Sequence, residues 1–280
     1  MPVGTLSAMD EARGKPENAR SFDNVVDAYD RSRPSYPVDA ARWLVGGERC
    51  EVIELGAGTG KLTERLVALG HTVTATDPSE PMLQRLAQRV PTARPVIAAA
   101  EEIPTGSRSV DVVVAAQSFH WFDPARVLPE VARVLKPRGV LALVWNDRDD
   151  RIPWVKRLGA IIGDSEQQAD PTKTLDDSGL FETVQTTTLR FWQPTSRESL
   201  QDLVISRSNV AVLSPAEREP VLRKVDELYD EYGRGHDGML LPYVTHAFRA
   251  VVLPWAHREN TAPQAEPEGV GTDPLLIDFR

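Results

Sequence analysis

The chain has 280 residues, of which 41% are hydrophobic, with 18 glycines and a net charge of −9. That composition falls in the globular range and excludes disorder throughout, while the acidic balance argues against a dominant nucleic-acid surface. The lone Cys50 excludes an internal disulfide framework and a multi-cysteine metal site, and no stretch approaches the ~20 apolar residues that cross a bilayer, so the chain reads as soluble, cytoplasmic and globular.

Residues 1–20 are polar, lack periodicity and lack the apolar core of a secretory signal, so they read as a tail. Residues 21–255 form the body. Within it, 50–55 (CEVIEL) is a short apolar run that stops at glycines, and 61–69 follows with Leu62, Leu66 and Leu69 at helical spacing. A β-rich run, 71–76, ends at Asp77-Pro78, and Ser79 caps a helix carrying Met82, Leu83 and Leu86. Residues 95–99 form a weaker strand and 110–116 (VDVVVAA) a strong one. Asp123 caps the next helix with Pro124 at its first position, and Lys136-Pro137-Arg138-Gly139 ends it before a strand over 140–145. Five strand–helix alternations of this length imply a parallel sheet covered by helices on both faces.

The second half has a different rhythm. A helix near 154–162 and a loop precede a long strand, 181–192. Two helices follow, opened by capping boxes at Thr195…Glu198 and Ser214-Pro215…Glu217, the second with Val221, Leu222, Val225, Leu228, Tyr229 and Tyr232 on one stripe. A last strand covers 240–253. One domain with a helical insertion over 193–237 accounts for this order better than two domains. After Trp255 the chain holds three prolines and few large apolar residues, so 256–280 reads as a second mobile tail.

Chemistry concentrates where the first strand meets glycines, at Glu54-Leu55-Gly56-Ala57-Gly58-Thr59-Gly60. Glycines there let the backbone turn sharply and approach a ligand, and the helix behind them points N–H groups at it. Spacing decides the ligand. A dinucleotide loop needs a small residue where Lys61 stands, and a triphosphate loop needs a glycine where Leu55 stands and a hydroxyl where Leu62 stands. Both fail. Asp77 ends the second strand seventeen residues beyond Gly60, where a carboxylate can accept hydrogen bonds from vicinal ribose hydroxyls.

The pattern G-x-G-x-G with Glu54 two places upstream resembles the first motif of the class I S-adenosylmethionine (SAM) dependent methyltransferases, and the resemblance runs over roughly 24–253. It implies an α/β, Rossmann-like, doubly wound, mostly parallel seven-stranded sheet with an antiparallel last strand and a helical lid. It also implies SAM as cofactor and S-adenosylhomocysteine (SAH) as product. Glu54, Gly56, Ala57, Gly58 and Gly60 would then cradle the amino acid end, Asp77 the ribose, and Pro78 and Met82 the adenine slot. Ala100-Glu101-Glu102-Ile103-Pro104 matches the family's third motif in part. Ala99 replaces the aspartate that many members direct at the adenine amino group, which leaves either the backbone around Ala100 and Glu101 or the Glu101 side chain to read it. Gln117-Ser118-Phe119-His120-Trp121, with the segment 29–37, resembles the small-molecule branch that includes trans-aconitate methyltransferase-like enzymes. Gln117 is then a contact to the SAM amino acid moiety, and Tyr29, Arg33, Tyr36 and Trp121 face the acceptor.

Methyl transfer from a sulfonium is an in-line displacement in which the protein aligns the reactants and excludes water, and it needs no metal. The histidines show no metal-ligand spacing. His120 is the candidate general base for a hydroxyl or amine acceptor. For a carboxylate acceptor no base is needed, and Arg33, Arg148, Arg151 or Arg207 would clamp its other acidic groups. His120, Trp121, Tyr36 and Trp145 are the aromatic candidates for steadying the sulfonium, while Trp145, Trp154 and Trp192 read as core or pocket wall rather than as catalytic groups. The first functional reading is an O-methyltransferase, or less readily an N-methyltransferase, of a small and acidic metabolite, with no nucleic acid or membrane partner. The second is a SAM-binding protein without turnover. The acceptor and the oligomeric state are not legible here.

Overall fold

The computed structural model describes residues 33–163, 170–207, 210, 212–233 and 238–257. Seven strands make one sheet in the order β3-β2-β1-β4-β5-β7-β6. These are β1 (Glu51–Leu55), β2 (Thr72–Asp77), β3 (Arg94–Ile97), β4 (Val110–Ala116), β5 (Leu135–Arg148), β6 (Gln185–Thr195) and β7 (Met239–Val251). Strands β1 to β5 pair in parallel, and β7 inserts antiparallel between β5 and β6. This is the doubly wound sheet with an antiparallel last strand that the resemblance implied. Among the described residues eight α-helices accompany it: α1 (Val38–Val45), α2 (Lys61–Ala68), α3 (Glu80–Arg89), α4 (Pro124–Val134), α5 (Pro153–Ile162), α6 (Thr172–Ser178), α7 (Arg197–Ile205) and α8 (Pro215–Tyr232).

Because strand side chains alternate between faces, one strand feeds two cores. Val113 and Ala115 of β4 join Leu141 and Leu143 of β5 in the layer closed by α4. Val112 and Val114 join Ala142, Val144 and Ala247 in the layer closed by α1 and α2. The run VDVVVAA is apolar nearly throughout for this reason: both of its faces are covered. A third cluster lies beyond the sheet, where α5, α7 and α8 pack Leu158, Leu203, Val225 and Leu228 against Leu241 and Tyr243 of β7.

Several boundaries move. The capping box of α7 is Ser196 with Ser199, one residue later than the Thr195…Glu198 reading, because Thr195 closes β6 and its hydroxyl donates to Gln193 O at 3.0 Å. The box at Ser214 and Glu217 stands as read. Phe181 makes an isolated bridge to Val252, and the continuous β6 ladder begins only at Gln185. Trp192 is 58% exposed on the outer strand β6, not core or pocket wall, whereas Trp145 is buried edge-on against Phe248 and Trp154 stacks on Tyr232. Among the described residues no helix is long and apolar enough to cross a membrane.

Candidate active site

The carboxyl ends of the parallel strands gather the candidate residues on one edge of the sheet, where an open α/β sheet holds its ligands. At the end of β1, Gly56, Gly58 and Gly60 adopt φ of 66°, 55° and 83°, a left-handed region that side chains avoid. Ala57 N donates to Thr76 O at 2.9 Å, which pins the turn to β2, and Gly60 opens α2. A Cβ on Gly56 would lie 2.6 Å from Ser118 Cβ, whereas one on Gly58 would meet nothing within 4 Å. The turn is therefore tight on its Ser118 side and open beside Gly58.

Glu54 is buried beneath this turn and accepts a hydrogen bond from Thr63 Oγ1 of α2 at 2.6 Å. Burial pushes its carboxyl up to about 8; the Thr63 hydrogen bond opposes that rise and the Asp77 charge adds to it. Asp77 accepts from Gly58 N at 2.9 Å through Oδ2 and from Ser79 N at 2.8 Å through Oδ1. Ser79 caps α3 by position only: its side chain makes no cap hydrogen bond, and its own N–H donates to Asp77. A carboxylate has about four acceptor sites, so Asp77 keeps capacity for two more donors after holding the turn. Asp77→Asn presents an amide to one of those two backbone N–H groups. We expect it to lose on the order of 1–3 kcal/mol of stability and about tenfold in SAH affinity, read by thermal shift and calorimetry. Unchanged affinity would remove Asp77 from the cofactor site.

Beyond Asp77, Pro78 is exposed and Met82 is half-buried at the start of α3. Ala100 is buried, and the Glu101 carboxylate accepts from Asp123 N at 3.0 Å, linking the third-motif loop to the segment that follows β4. A surface depression of about 630 Å³ shares Ala99 and Glu101 with this loop but runs toward Glu130 and Arg133, away from the glycine turn; it is not the cofactor crevice.

Gln117 leaves β4 with φ 58°, a strained value for a residue with a side chain, and its Nε2 donates to Asn146 O at 2.9 Å. Its neighbours form a short 3₁₀ turn, Phe119–Trp121, in which Phe119 is buried, His120 is exposed and Trp121 is 79% exposed. The His120 and Trp121 rings lie 4.9 Å apart. Among the described residues no group of three or more histidine, cysteine or acidic side chains gathers as a metal site would require.

The segment before α1 crosses the end of β5: Asn146 Nδ2 donates to Ser35 O at 3.3 Å, and Arg65 Nε donates to Ser35 Oγ at 3.1 Å. Arg33 is half-buried there, and Tyr36 is buried in the apolar layer with Leu44 and Val144. Tyr29 lies outside the described residues. Arg151 is held by Asp149 through two contacts of 2.6 Å, so its guanidinium is committed. Sequence reasoning missed Asn146 and Thr245, whose side chains meet at 2.7 Å inside the sheet. The signal was present: each is a polar residue that interrupts an otherwise apolar strand.

Residues 53–143 match the methyltransferase-domain family. An uncharacterized methyltransferase of Mycobacterium tuberculosis is 45% identical over 238 residues, covering 83% of this chain and 96% of that protein. The chain belongs to the class I SAM-dependent methyltransferases. An uncharacterized methyltransferase-like protein of Schizosaccharomyces pombe is 35% identical over 82% of the chain and 94% of its own length. The crystal structure of an Anabaena variabilis protein, described as a methyltransferase from an antibiotic biosynthesis pathway, has the same fold, with a TM-score of 0.55 at 19% identity over 75% of this chain and 95% of that one. The residues present fit SAM: this methyltransferase has an open cradle beside Gly58 and spare acceptor capacity on Asp77.

Proposed function

We propose that this methyltransferase transfers the methyl group of SAM to an oxygen, and less readily a nitrogen, of a small acidic metabolite. The observation that carries this reading is the segment over the end of β5. Asn146 holds Ser35 through its side chain and Gln117 through its carbonyl, so the segment crosses the sheet end beside Gln117, an arrangement that favours a small acceptor over a polymer. Arg33 belongs to that segment and Arg148 ends β5, and their positive charges support an acidic acceptor. When bound, SAM supplies an electrophilic methyl on a sulfonium. The chain's own residues orient it through the glycine turn and Asp77, exclude water, and position the acceptor in line with the methyl. The reaction needs no metal, and neither nucleic acid nor membrane takes part.

His120 takes the proton of a hydroxyl acceptor in this scheme, from the turn that directly follows β4. Transfer of labelled methyl from SAM to a metabolite extract tests the reading as a whole: absence of any labelled small molecule overturns it in favour of a SAM-binding protein without turnover. On the acceptor found, His120→Ala is expected to lower kcat by roughly 10²-fold with SAH affinity retained. An unchanged kcat removes His120 from the mechanism.

A further inference from the structure

Strand β4 ends at Ala116, and the N–H of Gln117 donates to Val144 O of β5 at 2.9 Å as the chain turns away with φ 58°. Parallel ladders are evenly spaced, so the next acceptor along that edge of β5 is the carbonyl of Asn146. A side chain fills this place: Gln117 Nε2 donates to Asn146 O at 2.9 Å. Since that carbonyl faces β4, Asn146 and its register partner Thr245 on β7 form a pair between ladder bonds, where antiparallel side chains lie closest. The two side chains meet at 2.7 Å, with Thr245 fully buried and Asn146 7% exposed.

The polarity of this contact is forced. Ser35 O can only accept, so the Asn146 atom that faces it at 3.3 Å is the amide nitrogen. That turns Oδ1 toward Thr245, whose hydroxyl must then donate. Thr245 therefore selects between the two orientations of the Asn146 amide. In the flipped one the amide oxygen would oppose Ser35 O, and two acceptors would face each other with no proton between them. Ser35 is held a second time, where its hydroxyl accepts from Arg65 Nε at 3.1 Å. Arg65 belongs to α2, the helix that Gly60 opens. The segment over the end of β5 is thus fastened on one side to the helix behind the glycine turn and on the other to the β5–β7 rung.

We infer that Thr245 is a positioning residue for methyl transfer: its hydroxyl sets the Asn146 amide, and Asn146 fixes both the Ser35 segment and the Gln117 side chain on the acceptor side of the crevice. Thr245 is buried in the sheet and acts only through Asn146. The inference rests on the methyltransferase reading above. It requires the hydroxyl itself, since packing alone would be met by valine, which is branched at the same carbon.

Thr245→Val and Thr245→Ser separate the hydroxyl from the packing. In the full chain saturated with SAH, NMR follows exchange of the Asn146 side-chain amide protons with solvent. Thr245→Val should speed that exchange roughly 10-fold, the scale of one buried hydrogen bond, and Thr245→Ser should leave it near the parent rate. Transfer of labelled methyl from SAM to a dilute metabolite extract should fall about 10-fold in Thr245→Val, and the deficit should shrink as the extract is concentrated, the mark of a raised acceptor KM. SAH affinity by calorimetry should stay within about twofold of the parent, and Thr245→Ser should recover most of the transfer. Should Thr245→Val not fold, Thr245→Cys, whose thiol is a weak donor, makes the same comparison against Thr245→Ser. Unchanged amide exchange, equal losses in the two variants, SAH affinity that falls in step with transfer, or transfer at the parent level by Thr245→Val overturns the positioning role and leaves the methyltransferase reading standing. No labelled product from the parent chain overturns that reading, and the inference with it.

Discussion

Gly56→Ala and Gly58→Ala are expected to fail in opposite ways, although both residues sit in the same turn with positive φ. Placing alanine in the left-handed region costs on the order of 1–2 kcal/mol at either position. At Gly56 the new Cβ would stand 2.6 Å from Ser118 Cβ and 2.9 Å from Ser118 Oγ, atoms that cannot retreat freely because that hydroxyl donates to Leu55 O at 2.8 Å. Overpacking of this kind adds about 1–3 kcal/mol. The sum, roughly 2–5 kcal/mol, is a large share of the ~5–15 kcal/mol that holds a typical domain folded. Gly56→Ala should therefore show a clearly lowered urea midpoint and no measurable SAH binding. At Gly58 the Cβ meets nothing, so the stability loss should stay near the backbone figure alone. Its methyl group would instead occupy the open side of the cradle, and SAH affinity should fall ~100-fold or more, as expected where a ligand must approach bare backbone. A Gly58→Ala chain that is nearly as stable as the parent and binds SAH equally well would show that the cradle is not where the cofactor lies.

Ligand-free protein should lose stability as pH rises from 5 to 9, and Glu54→Gln should abolish most of that loss. The sign follows from the direction of the shift. Glu54 ionises near 4.5 when exposed and near 8 in the fold, so the unfolded chain gives up its proton first. The contribution of the protonated carboxyl is fully present below 4.5 and disappears as pH passes 8. At about 1.4 kcal/mol per pH unit, holding this carboxylate charged in the ligand-free fold costs on the order of 5 kcal/mol. Glutamine keeps an acceptor for the Thr63 hydroxyl and carries no charge. The variant should thus melt higher than the parent at pH 8.5 and nearly equally at pH 5. The α-ammonium group of SAH favours the ionised form, so the parent's SAH affinity should climb between pH 6 and 8 while that of Glu54→Gln stays flat and at least ~10-fold weaker. A melting temperature that does not separate the two proteins at high pH would refute this assignment of the buried charge.

How far the sequence could be read follows from where each signal lies. The inner strands were plain because both of their faces are buried, which makes VDVVVAA and VLALVW continuous apolar runs. Helix α4 was plain because Asp123 and Pro124 mark its start, and the Asp123 carboxylate does accept from Ala125 N. Helix α1 went unread: it begins at once after Pro37, the last residue of the segment 29–37 that resembled the small-molecule branch. Helix α6 buries Leu175 alone, too little for any periodicity. The donor half of the site was legible since Glu54, the glycines and Asp77 occupy one strand–turn–helix–strand unit with fixed spacing. The acceptor half was not. Ser35, Asn146 and Thr245 are scattered across the chain, and only the antiparallel register of β5 with β7 and the segment crossing the end of β5 bring them together.

The separate apolar cluster of α5, α7 and α8 bears on how this protein can diverge or be redesigned. Leu158, Leu203, Val225 and Leu228 belong to a cluster separate from the two layers that clamp the sheet, and it meets the strands through Met239, Leu241 and Tyr243 of β7 and Phe191 of β6. Exposed loop positions around those helices can therefore be randomised without disturbing the nucleoside cradle. Selection for a new acceptor can begin from a scaffold whose donor chemistry stays intact.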